Sequence, residues 1–298
     1  MTKFRSFIEG LLVGIIVLIP AVMIVGNRID IQLYAHDYTS PHIYIMNRET
    51  QSTTYQKSMD SKISPGSLTQ IMTAIVALEE SDDLTEPVSI DSKTYNEMAA
   101  ADFPMAGFTP DEVVTYEDLL YGMMFSSGGE TANSIAIHTS GDVNSFVQLM
   151  NQKATELHLK DSHFTNPEGR HHQEQYTTAS DVAALLDYAL ENPQFKTIFT
   201  AETYKSSSTV EHPNGIELYS PVFKQLESEV QEGFKIIGGK SSITGKAGQS
   251  WVTIGLIKNQ EYLTITMGAP IKEHEDLNKG QLNDTLHLYK VTQSITEE

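Results

Sequence analysis

The sequence predicts an α+β domain whose antiparallel sheet is assembled from both ends of the chain, with a helical block between them. Three observations carry this. Short β-rich segments occur just after residue 40 and again after residue 200. Between them lie stretches of helical apolar periodicity with recognisable caps. At 298 residues and 40% hydrophobic content, the chain can bury a sizeable core.

The elements follow in order. Residues 1–26 place Lys3 and Arg5 ahead of an apolar run from Leu11 to Val25, interrupted only by Gly14 and Pro20. The run is long for a secretory apolar region and short for a span, which needs about 20 residues. No small-residue cleavage pattern follows it, so an uncleaved signal anchor is expected ahead of a cleaved signal peptide. The basic flank keeps the N-terminus inside and puts the remainder on the extracytoplasmic face of the cell membrane, or outside the cell if the signal is removed. Residues 27–40 are polar and mixed and read as a linker; residues 41–298 form the domain.

"HIYIMNRETQSTTYQKS" alternates as two strands joined at Asn47–Gln51. "SLTQIMTAIVALEE" predicts a helix with Leu68, Ile71, Met72, Ile75, Val76 and Leu78 on one stripe, and the acidic run Glu79–Glu86 ends it in solvent. Thr115 with Asp118 forms a capping-box pattern before "YEDLLYGMMF". Asp142 can cap "VNSFVQLMNQKATELHL", and Thr178 with Asp181 can cap "ASDVAALLDYALEN", which Asn192-Pro193 stops. "DSHFTNPEGRHHQEQYTT" reads as a long polar loop. "FKIIGGK", "SWVTIGLIK" and "EYLTITMGA" are strands, the last two joined at Asn259-Gln260, and "LNDTLHLYKVTQSI" is a closing helix.

The formal charge of -19 argues against nucleic acid as a partner, because phosphates are repelled by such a surface. The absence of cysteine excludes disulfides, thiol nucleophiles and thiolate metal sites. His158, His163, His171 and His172 gather loosely with Glu168 and Glu174, but the spacing fits no common ligand set, so no metal or cofactor is expected and a surface loop is the better reading. Trp251, on a predicted strand, is expected in the core.

Candidate chemistry sits in "SPGSLTQIM". Ser67 follows Pro65-Gly66 at a helix start, where free N–H groups and the helix dipole favour negative charge. Acyl transfer by serine needs a nucleophile, a base within reach and donors for the oxyanion. Residue 70 lies one turn on, within reach of the serine hydroxyl, but it is Gln70, whose amide is not a base. It can fill the space and hydrogen-bond to Ser67.

This stretch resembles the low-molecular-mass penicillin-binding proteins that are serine D-alanyl-D-alanine carboxypeptidases. Their first motif, S-x-x-K, typically stands in "P-A-S-L-T-K-x-M-T-A-x-x-A-L-E"; this chain has "PGSLTQIMTAIVALEE". The resemblance covers roughly residues 40–275 and includes "NQKATELHLKDSHFTNPEGRHHQEQYTTASDVAALLDYALENPQF". It implies the β-lactamase/DD-peptidase (transpeptidase-like) fold, an antiparallel sheet flanked by helices with an all-α subdomain. It also implies that "MMFSSGGETAN" carries the second motif, S-x-N, with Ser127 as the proton-relay serine and Gly129 where the family has asparagine. A bland alternative for Ser127 is a helix N-cap. "IIGGKSSITGKAG" carries the third motif, K-T-G or K-S-G. Lys240 and Ser241 would hold the ligand's terminal carboxylate, Ser242 replaces the glycine, and the Ile243 N–H would be the oxyanion donor beside that of Ser67.

All three motifs depart from the family pattern. The first function expected is therefore a membrane-anchored, extracytoplasmic protein of peptidoglycan metabolism with impaired catalysis. Its partners would be a peptidoglycan stem peptide, a β-lactam-like ligand or a cell-wall protein, and it would meet the membrane through its N-terminal segment. The alternative is an active serine-type D-Ala-D-Ala carboxypeptidase with a non-standard base. A third reading, a scaffold with a closed pocket, follows if Ser242 fills the groove.

Overall fold

A computed structural model describes Leu33 and residues 36–81, 83–273 and 279–296. The apolar run and the anchor expected over residues 1–26 lie outside them. Among the described residues, no helix is long and apolar enough to cross a membrane.

Strands β1 (His42–Asn47) and β2 (Thr53–Lys57) form the expected hairpin. A single 3₁₀ turn, Gly66–Leu68, leads into α1 (Thr69–Glu80). Helix α2 (Ser92–Ala100) lies between the short strands β3 (Pro87–Ser89) and β4 (Val113–Thr115), which pair with each other. Helices α3 (Tyr116–Ser126), α4 (Gly129–Ser140), α5 (Val143–Glu156), α6 (Ala179–Ala189) and α7 (Pro193–Thr200) complete the helical block. A second ribbon, β5 (Thr203–Lys205) with β6 (Glu217–Tyr219), and helix α8 (Pro221–Leu226) precede β7 (Phe234–Thr244), β8 (Gly248–Ile257), β9 (Gln260–Ala269) and α9 (Gly280–Thr296).

The main sheet has the order β2-β1-β9-β8-β7, with every neighbouring pair antiparallel. The N-terminal strand thus sits beside the last one, His42 opposite Met267 and Asn47 opposite Tyr262. Strand alternation divides the core between the two faces of the sheet. Ile43, Ile45, Trp251 and Ile257 pack with Leu282, Leu288 and Tyr289 of α9. Val252, Ile254, Leu263 and Ile265 pack with the helical block. Strand β7 is an edge, and its outer side faces the site described below.

The expected caps are present. Thr115 and Asp118 exchange both capping-box bonds, and Asp142 and Thr178 each accept from the N–H three residues on. Asn192-Pro193 ends α6 and also starts α7, because proline fits a first helical turn and Asn192 caps it. The stripe expected on α1 is not the whole of its packing. Every residue from Thr69 to Leu78 is buried, since α3, α4, α5, α6 and α7 surround the helix. The turn between β8 and β9 is centred on Lys258 and Asn259, both left-handed, one residue earlier than expected. Of the segment read as a linker, residues 36–40 are tied to the domain: Thr39 and Ser40 donate their N–H groups to Asp284 of α9 at 3.2 and 2.6 Å.

Candidate active site

Ser67 lies in the 3₁₀ turn ahead of α1, held between β7 and the loop at residues 166–171. Gly66 has φ of +53°, a conformation that side chains rarely adopt. Its missing Cβ makes room for a neighbour, since a Cβ there would lie 2.3 Å from the Ser242 hydroxyl oxygen. That hydroxyl accepts the Ser67 N–H at 2.9 Å. The donor that an acyl-transfer serine aims at a developing oxyanion is thus satisfied within the protein.

Gln70 is fully buried and turns away from Ser67. Its Nε2 donates to the Glu168 carbonyl at 3.1 Å, and its Oε1 is buried with no partner among the described residues. No acceptor for the Ser67 hydroxyl is found among the described residues.

Ser127 is the C-cap of α3, not an N-cap: its φ of 55° turns the chain sharply into α4, whose N-cap is Gly128. Its hydroxyl faces Lys240 at 3.5 Å, the long limit of a hydrogen bond. Lys240 is 2% exposed. Its ammonium points at the end of α3, donating to the carbonyls of Met124 at 3.0 Å and Met123 at 3.4 Å. These carbonyls carry the negative end of the helix dipole, but among the described residues no carboxylate pairs with the lysine, and burial pushes its pKa down to about 7. The charge expected to meet a ligand carboxylate is therefore both hidden and weakened.

The residues are arranged around a cleft of about 530 Å³, lined by Ser67, Ser127, Ser241, Ser242 and Ile243, with Phe103, Pro104, Phe125 and Arg170 among the others. A second concavity, between β5–β6 and α8, is lined by Tyr219, Lys224 and Lys235 and lies apart from the serines. Of the predicted site residues, five share the cleft. Lys240 stands behind Ser127, and Gln70 lies beneath Ser67. Gly129 does not reach the cleft. Its N–H donates to the Pro104 carbonyl at 2.8 Å, and a Cβ there would meet Phe103 at 2.7 Å and Met98 at 2.9 Å. The room an asparagine side chain needs is filled from α2 and the loop after it.

That loop is held by Glu130, buried in the first turn of α4. One of its carboxylate oxygens accepts the N–H groups of Ala106 and Gly107, the other has no partner among the described residues, and burial pushes its pKa up to about 7. The polar loop after α5 is also less solvated than expected. Phe164, Pro167 and Glu168 are buried, and Gly169, at φ +92°, packs so tightly that a Cβ would lie 2.1 Å from the Gly66 carbonyl oxygen. His163 and His172 bond to the backbone of Glu174, while Glu168 points inward. Sequence reasoning missed Phe103, Glu130 and Arg170. The glycine in "NPEGR" was the one signal that this loop passes close to another backbone.

A profile of the D-alanyl-D-alanine carboxypeptidase family matches residues 31–271. The chain belongs to that family. It is similar to the D-alanyl-D-alanine carboxypeptidase of Streptomyces sp. (strain K15), 33% identical over 55% of this chain and 59% of the relative. It is also similar to D-alanyl-D-alanine carboxypeptidase DacF of Bacillus subtilis, 28% identical over 61% of this chain and 46% of the relative. The matched part thus spans about half the length of these carboxypeptidases. In fold, the protein resembles the crystal structure of the Streptomyces K15 DD-transpeptidase, with a TM-score of 0.77 over 87% of this chain and 98% of that one at 24% identity. It also resembles a D-alanyl-D-alanine carboxypeptidase from Mycobacterium tuberculosis, with a TM-score of 0.74 over 87% and 92% at 21% identity. The α+β fold of the DD-peptidases is thereby established. Where the resemblance sets a lysine at position 70, this chain has Gln70, buried beneath Ser67.

Proposed function

We propose that the protein is a membrane-anchored, extracytoplasmic member of the carboxypeptidase family that binds a D-alanyl-D-alanine peptide without efficient cleavage. One observation carries the reading: the Ser67 N–H is bonded to the Ser242 hydroxyl. An acyl-transfer site needs that donor for its tetrahedral intermediate, and losing one such donor costs about 10²–10³-fold. The glutamine at position 70 compounds the loss, since removing a general base costs about 10²–10⁴-fold. The open cleft and the free edge of β7 are consistent with an extended peptide adding as a further strand. The basic and apolar pattern of residues 1–26 supports anchoring, which retention in the pellet after alkaline extraction of membranes tests.

The site is tested by incubating the full-length protein with a fluorescent penicillin. Wild type is expected to give no covalent adduct on the minutes scale, and Gln70→Lys alone no more. Gln70→Lys with Ser242→Gly is expected to gain labelling by about 10²-fold or more. Rapid stoichiometric labelling of Ser67 in the wild type overturns the proposal.

A second reading has one observation behind it. A buried lysine with a pKa near 7 beside Ser127 is a proton acceptor in waiting, which would make the protein an active carboxypeptidase with a non-standard base. Release of D-alanine that rises through pH 7 and disappears in Lys240→Arg would establish it; no release at pH 8 would remove it.

A further inference from the structure

The loop at residues 166–171 brings a charged pair to the cleft. The Glu168 side chain is 2% exposed and its carboxylate takes Arg170 Nε at 3.4 Å and Asn133 Nδ2 at 3.4 Å. The Arg170 side chain is 53% exposed and lines the same cleft as Ser67 and Ser127. Among the described residues, its two terminal nitrogens have no carboxylate partner. The backbone beneath is fixed. Asn166 accepts the Gly169 N–H at 2.8 Å and donates to the Arg170 carbonyl at 2.8 Å, and Gln175 donates to that carbonyl at 3.2 Å. Gly169 is seated against the Gly66 carbonyl, so the arginine is carried by the same rigid unit as Ser67.

Neutralising Glu168 occupies only one nitrogen of the guanidinium. The remaining donors form a planar pair suited to a carboxylate. The protein's formal charge is -19, so an anionic ligand gains nothing from long-range attraction and must be held by local donors. Lys240 is buried behind Ser127, so among the described residues Arg170 is the exposed full cation on the cleft wall.

We infer that Arg170 is a carboxylate subsite: the cleft selects D-alanyl-D-alanine peptides that carry a second, free carboxylate upstream of the terminal pair. This rests on the peptide-binding reading above. The subsite acts in binding and touches none of the atoms that acyl transfer would change.

The test is calorimetric titration of the full-length protein in mild detergent with two pentapeptides, Ala-γ-D-Glu-Lys-D-Ala-D-Ala with its glutamyl α-carboxylate free and the same peptide with that group as a carboxamide. The acid is expected to bind about tenfold tighter than the amide. Arg170→Gln should erase the difference and Arg170→Lys should keep part of it. Arg170→Gln leaves Glu168 buried without its cation, so Arg170→Gln with Glu168→Gln is measured beside it. The double variant should melt near the wild type and show no preference. Equal affinity of wild type for both peptides, or a preference that survives in the double variant, overturns the subsite and leaves peptide binding standing. Failure of wild type to bind either peptide overturns both.

Discussion

Gly66 and Ser242 act as a pair. The hydroxyl oxygen of Ser242 occupies the place where a Cβ on residue 66 would point, and the Ser67 N–H is satisfied by it. The family motifs that this chain resembles have alanine and glycine at these two positions. Gly66→Ala should destabilise the protein by about 2 kcal/mol or more, from its left-handed backbone and the close contact together. Ser242→Gly should remove the contact but not the backbone strain. In a double-mutant cycle read by urea denaturation, the two changes should therefore couple by roughly 1 kcal/mol. Strict additivity would show that the contact carries no energy. Position 70 is satisfied only on its donor side. An amide there bonds a carbonyl and buries no charge, whereas a lysine would require a partner that Gly129 does not supply.

The α3–α4 junction and the loop following α2 together shape this side of the site. Glu130 fastens the loop to the first turn of α4, and Phe103 of that loop fills the space beside Gly129. The folded pKa of Glu130, pushed up by burial to about 7, lies above its ordinary value of 4.5. The folded state therefore binds this proton more tightly than the unfolded one. The contribution to stability is full below pH 4.5 and is lost as pH rises through about 7. Glu130→Gln keeps an oxygen for the Ala106 and Gly107 N–H groups and removes the titration. It should leave the melting temperature unchanged at pH 5 and raise it by several degrees at pH 8, the equivalent of at most about 3 kcal/mol. A parallel fall of wild type and variant between pH 5 and 8 would remove Glu130 as the cause.

At the scale of the molecule, the sheet is closed by pairing the two ends of the chain, and α9 then covers its outer face over Trp251. Asp284 of α9 joins the start of the domain to its end through the N–H groups of Thr39 and Ser40. Asp284→Ala should cost about 1–3 kcal/mol, chiefly because the buried Ser40 N–H loses its acceptor, with the exposed Thr39 adding little. Amide exchange at Thr39 and Ser40 should speed up while the β8 core stays protected; unchanged exchange at both amides would mean the tie is dispensable. Because Ser67 is clamped between β7 and the 166–171 loop, a loss at this closure should weaken the cleft only through global stability.

Much of this protein was legible in its residues. Alternation at both ends and three capping patterns marked the strands of the sheet and the main helices, because caps and strand periodicity are local rules, while the gathering of Ser127, Ser241 and Ser242 about Ser67 was legible only through the family resemblance. The ribbons β3–β4 and β5–β6 were not legible, being three-residue strands stabilised by neighbours rather than by their own pattern. Local rules were also silent on side-chain direction at the site. Only the tertiary structure decided that Gln70 faces the Glu168 carbonyl, that Lys240 is buried at the end of α3, that Phe103 fills the space beside Gly129, and that Ser242 satisfies the Ser67 N–H. Each of these is a contact between residues far apart in the chain: three were chosen by which polar group lacked a partner once the sheet and helical block had closed around it, and the Phe103 contact by the space left to fill.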